Sequence, residues 1–172
     1  MKKLSILALA VLLPFLSSAQ QFDKYEKMKE VDAVVITSKM FKLLTRIDLD
    51  SQDPETREYI NLVESLEELK VFSSKSSEVR QQMENDVSTF IASGDLEELM
   101  RVSSDGKSVN FYYKPGRNDD YVSQLFMYMN EQDDNLSVIM NITGNINLSQ
   151  VSKLANDFNI PGGDELENIE SN

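Results

Sequence analysis

Asp48, Asp50 and Asp53 are the residues whose type and spacing come nearest to a metal site. Carboxylate oxygens grouped in this way suit a hard cation such as calcium. Aligned as a calcium-binding loop from Asp48, the sixth place is Asp53, where the sharp turn wants glycine. The twelfth is Tyr59, where a bidentate glutamate is needed. The pattern fails at both places, and Asp53 before Pro54 reads instead as the N-cap of a helix. Neighbouring acids such as Glu97 and Glu98 could in principle serve as acid and base in glycoside hydrolysis. Adjacent strand residues point to opposite faces, so they do not form a pair in space. The sequence contains no histidine and no cysteine. Ser-His-Asp and Cys-His catalysis, zinc held by histidine or cysteine, iron–sulfur clusters and histidine-ligated haem are thereby excluded. The sequence assigns no catalytic, metal or cofactor residue.

A second group is aromatic. Phe111, Tyr112 and Tyr113 fall in one strand-like run, and Phe126 and Tyr128 in the next. Packed between sheet and helices they would be core, the ordinary fate of such residues. Left exposed, Tyr112, Phe126 and Tyr128 would be the natural surface for a protein partner.

The elements that must position these residues follow from periodicity. Asp32 to Ile36 is a short β-branched run, expected as a buried strand. Met40, Leu43, Leu44 and Ile47 then recur at the spacing of one helical face. Asp53-Pro54 opens a second helix, whose stripe is Tyr59, Leu62, Val63 and Leu66. Leu69 to Phe72 is the next strand. A third helix carries Val79, Met83, Val87, Phe90 and Ile91 inward, with Gly94 as its cap. The second half is strand-rich. Asp105-Gly106 between two strand-like runs signals a hairpin with a type I′ turn, placing Val109, Phe111 and Tyr113 inward. Val122 to Met129 is apolar on both faces, and Leu136 to Thr143 alternates. Asn147 caps a closing helix with Leu148, Val151, Leu154 and Phe158 on its inner side. The expected class is α+β: an antiparallel sheet with a four-strand C-terminal meander and helices packed on one face.

The ends of the chain set its location. Lys2 and Lys3 precede an apolar run from Leu4 to Leu16, and Ser17-Ser18-Ala19 supplies the small residues of a cleavage site. This is the pattern of an export signal, cut between Ala19 and Gln20. The run is too short to span a bilayer, which takes about 20 apolar residues. Residues 20–160 are read as one α+β domain, with 20–30 a polar lead-in. Residues 161–172 are read as an acidic, disordered tail. Loss of the signal leaves 153 residues with 15 basic and 29 acidic side chains, a formal charge of −14. That balance repels nucleic acid, whose phosphates need clustered lysine or arginine. Without a cysteine at the mature N-terminus there is no place for a lipid anchor. The mature chain is expected to be periplasmic or secreted.

The order of these pieces resembles the DUF4252 family, exported proteins found mainly in Bacteroidota. The resemblance runs from about Phe22 to Phe158. It rests on Val34 to Met40, on Leu66 to Phe72, on Glu97 to Val102 before Asp105-Gly106, on Val109 to Lys114, and on Ile139 to Gly144. Many members carry a lipid anchor, from which this chain departs. The family attaches no catalytic motif, so the resemblance implies an envelope protein with no functional residues to transfer. The function expected is a non-enzymatic protein-interaction module that binds another protein of the cell envelope. The alternatives are a carboxylate-dependent hydrolase acting on an envelope glycan, and a carrier of a small ligand or lipid.

Overall fold

The computed structural model describes residues 22–46, 53–93, 96–118 and 120–147. The chain opens with a 3₁₀ helix (Asp23–Lys27), then β1 (Asp32–Thr37), α1 (Ser38–Arg46) and α2 (Pro54–Ser65). β2 (Leu66–Ser74) and α3 (Ser77–Ser93) follow. The described chain ends with β3 (Glu97–Ser104), β4 (Lys107–Pro115), β5 (Tyr121–Glu131) and β6 (Leu136–Asn147). The expected export segment, the closing helix and the acidic tail lie outside the described residues, as do Ile47, Asp48, Asp50 and Gly94.

All six strands form one antiparallel sheet in the order β1-β2-β6-β5-β4-β3. Together with the helices this makes an α+β domain. β6 inserts between β2 and β5, so β1 and β3 are the sheet's edges.

The central strands are apolar on both sides. In β5, Leu125, Met127 and Met129 turn to one face while Phe126 and Tyr128 turn to the other. In β6, Val138, Met140 and Ile142 oppose Ile139. Strand residues alternate between faces, so such a run must be covered twice. The helices accordingly do not share one face, as the sequence had suggested. Phe41 of α1 and Leu62 and Val63 of α2 close the first core. Val79, Met83, Val87 and Phe90 of α3 close the second.

Local signals place several elements where expected. The Asp53 carboxylate accepts a hydrogen bond from the Thr56 backbone N–H at 2.9 Å, with Pro54 at the first helical position. The Asp105-Gly106 turn has positive φ at both residues, 42° and 77°, as a type I′ turn requires. It closes the Ser104–Lys107 pair of the β3–β4 hairpin. Gly106 also accepts a hydrogen bond from the Gln132 N–H at 3.0 Å, tying this turn to the β5–β6 turn.

The segment around Phe22 is not a mere polar lead-in. Phe22 and Tyr25 are buried in the second core, and the Tyr25 hydroxyl donates to Asp86 of α3 at 2.5 Å. Lys24 forms an ion pair with the same carboxylate.

A side chain at Gly106 would have room, with no neighbour closer than 3.7 Å, so its penalty is conformational. A β-branched residue fits positive φ poorly. Gly106→Val should therefore lower stability by about 1–2 kcal/mol. Comparing its urea midpoint with the parent's checks this, and an unchanged midpoint would mean the turn tolerates a branched residue.

Candidate functional site

The acidic residues weighed as chemistry are engaged elsewhere. Asp53 caps α2. Glu97 accepts a hydrogen bond from the Tyr113 hydroxyl at 2.7 Å, and Glu98 pairs with Arg101 at 2.6 Å on the surface. No group of three or more potential metal-ligating residues gathers among the described residues. A polar cleft of about 280 Å³ lies where α2 meets the ends of β5 and β6, lined by Glu58, Asn61, Ser65, Tyr121 and Asn145. Among the described residues, Glu58 is the one carboxylate in that lining.

The aromatic group belongs to the core beneath α3. Phe126 is fully buried, with its ring 5.0 Å from Phe90 edge-on and 5.5 Å from Phe22 stacked. Tyr128 is buried and Tyr112 half-buried beside Phe126. As a partner surface, Tyr112, Phe126 and Tyr128 are therefore corrected: α3 occupies the space a partner would need. Burial raises the Tyr128 phenol above its ordinary pKa, and Glu84 adds to the shift while Ser137 and Arg80 oppose it.

Two cations, Lys70 buried and Arg80 half-buried, hold this side together. The Lys70 ammonium of β2 lies under the 3₁₀ helix, 2.7 Å from Asp23, 3.1 Å from Glu68 and 3.8 Å from Glu26. Burial alone would lower its pKa. Hydrogen bonds to Asp23 and Glu68 outweigh that and hold it above the ordinary lysine value. Arg80 of α3 spreads its guanidinium over Asn130, Asn135, Ser137 and the Glu131 carbonyl, fixing α3 to the β5–β6 hairpin.

The surface left apolar lies at the opposite edge. β1 was expected to be buried, yet five of its six residues, Ala33, Val34 and Val35 among them, are exposed. Its position at the sheet edge is the reason. α1 follows β1 without a linker, and its phase turns Phe41 and Thr45 inward. Phe41 is fully buried, and the Thr45 hydroxyl donates to Glu64 of α2 at 3.2 Å. The expected inner stripe is thereby reversed: Met40, Leu43 and Leu44 face solvent. Val34 and Leu43 are 52% and 55% exposed. With Val35, these are the large exposed hydrophobics among the described residues. Between them stand Lys39, Lys42 and Arg46, all exposed, and α1 holds no acidic residue. The sequence signal was the lysine spacing, since Lys39 and Lys42 flank the stripe of Met40, Leu43 and Leu44 on its side away from Phe41.

Fold and surface together define a small α+β domain with an apolar, cationic patch at one end of a six-stranded sheet. The model of DUF4252, a domain of unknown function, matches residues 25–154, and the chain belongs to that family. No curated protein matches the chain. No solved structure matches it.

The phase of α1 can be read from stability. Phe41→Ala should cost about 3–5 kcal/mol, as large-to-small changes in a packed core do. Leu43→Ser should change stability by less than about 0.5 kcal/mol, as at other exposed positions. Denaturant unfolding of both variants separates the alternatives, and a reversed order would place Leu43 in the core.

Proposed function

We propose that this chain is an exported, non-enzymatic protein-interaction module of the bacterial cell envelope. The observation that carries the reading is the exposed apolar group Val34, Val35, Met40, Leu43 and Leu44 on β1 and α1. Five large exposed hydrophobics on one edge strand and the helix that follows it mark an interaction site, whereas single exposed hydrophobics are ordinary. The export pattern from Lys2 to Ala19 supports a place outside the cytoplasm. Cleavage before Gln20, with no cysteine to acylate, would leave the protein free in the periplasm or medium, held only by its partner. Among the described residues no helix is long and apolar enough to cross a membrane.

Envelope-glycan hydrolysis has less behind it, because the polar cleft offers a single carboxylate where two are needed. A carrier role would require a cavity between sheet and helices, and the two cores there are filled by side chains such as Phe111, Met127 and Phe126.

Two measurements on the protein in its native cells test this reading. N-terminal sequencing should begin at Gln20. A photo-crosslinking residue placed at Leu43 should give a discrete adduct with another envelope protein. The same residue at Ser88, exposed on α3, should not. A mature chain retaining Met1 would overturn the location, and equal adducts from both positions would overturn the surface.

A further inference from the structure

We propose that the outer edge of β1 receives an extended segment of the partner protein as an added strand. Acidic residues flanking that segment would be gathered by Lys39, Lys42 and Arg46. The inference rests on the interaction reading above and gives the partner its chemistry.

β1 pairs with β2 from Asp32↔Ser73 to Thr37↔Glu68, and no described strand lies on its other side. An edge of this kind presents N–H and C=O groups to any chain that can extend beside it. Proteins usually guard such edges with charge, proline or a bulge. The opposite edge is guarded: β3 carries Glu97, Glu98 and Arg101, and its register breaks between Glu98 and Met100. Beyond Asp32 at its start, β1 runs Ala33-Val34-Val35-Ile36-Thr37 without charge or proline, and its register is unbroken.

Val34 and Val35 are both exposed and, being adjacent in a strand, stand on opposite faces of the sheet. An added strand would find an apolar neighbour on either face. Met40, Leu43 and Leu44 extend that apolar surface along α1.

The chain carries a formal charge of −12, yet α1 contributes three exposed cations and no acid. None of the three forms an ion pair with a described carboxylate. This favours an acidic partner segment. A second copy would bring another −12 and repeat the same cations. An anionic bilayer would suit the cations but has no backbone to pair with β1.

The probe is a synthetic peptide of alternating valine and threonine with glutamates at both ends. It carries a dye, because the protein has no tryptophan whose emission could report binding. Anisotropy with the full exported chain should show binding that weakens as salt rises. A lysine-flanked peptide should bind roughly tenfold more weakly or worse. Hydrogen exchange should show the amides of Ala33 to Ile36 gaining protection. Val35→Lys, and separately Lys39→Glu with Lys42→Glu, should each lose roughly tenfold in affinity. Their unfolding midpoints should hold, since these side chains are exposed. No binding at millimolar peptide, equal binding of the lysine-flanked peptide, or unchanged affinity in both variants would overturn the proposal. So would sedimentation showing a dimer broken by Val35→Lys. Binding to phosphatidylglycerol vesicles without binding to the peptide would overturn it as well. If the Leu43 crosslink to a partner persists while the peptide fails, the interaction reading stands and strand addition falls.

Discussion

The structure depends on one constraint: β5 and β6 are apolar on both faces and must be covered twice. Leu125, Met127 and Val138 demand cover on one side, Phe126, Tyr128 and Ile139 on the other. Burial of such side chains is worth roughly 1.5–3 kcal/mol each, so leaving either face open is not an option for a domain of this size. The helices divide accordingly, α1 and α2 to one face and α3 to the other. The sheet's ends receive what remains. β1, at the margin of both layers, keeps Val34 and Val35 in solvent. The candidate docking surface is thus a consequence of where the helices are needed most.

Polar ties fix this division. Lys70 draws Asp23, Glu26 and Glu68 to the outer end of the second core, and Tyr25 reaches Asp86 from the same 3₁₀ helix. A buried ammonium without such partners would be strongly unfavourable, so the 3₁₀ helix and β2 are held as a unit. Arg80 does the equivalent at the other end, where all its acceptors are neutral. The family match begins at residue 25, within the 3₁₀ helix.

What was legible in the sequence was local. Asp53-Pro54 states a helix start, Asp105-Gly106 states a turn, and the stripes of α2 and α3 state their inner faces. Each signal is complete within a few residues. The exposure of β1 was not legible, because an edge position arises when β6 inserts beside β2, far along the chain. Nor was the phase of α1. Period alone groups Met40, Leu43 and Leu44, but Phe41 and Thr45 form an equally regular alternative. Only the direct junction with β1 decides between them. Tyr112, Phe126 and Tyr128 were recognisable as one aromatic group, while the layer that covers them comes from α3, whose stripe gave no hint of which face it would meet. Phe22 and Tyr25 were hidden by the lysines and acids around them, which are the ones that tie the 3₁₀ helix down. The candidate site was therefore unread, apart from the lysines that flank the α1 stripe.

α1 and β1 present an apolar surface to solvent in the folded protein, and docking depends on it. The absence of cysteine makes this directly measurable. Single substitutions Leu43→Cys, Val34→Cys and Phe41→Cys each introduce one thiol, whose rate of reaction with a maleimide reports its accessibility. Leu43→Cys and Val34→Cys should react in the native protein nearly as fast as in denaturant, and Phe41→Cys only after unfolding. Protection of Leu43→Cys and Val34→Cys in the native protein would contradict the account.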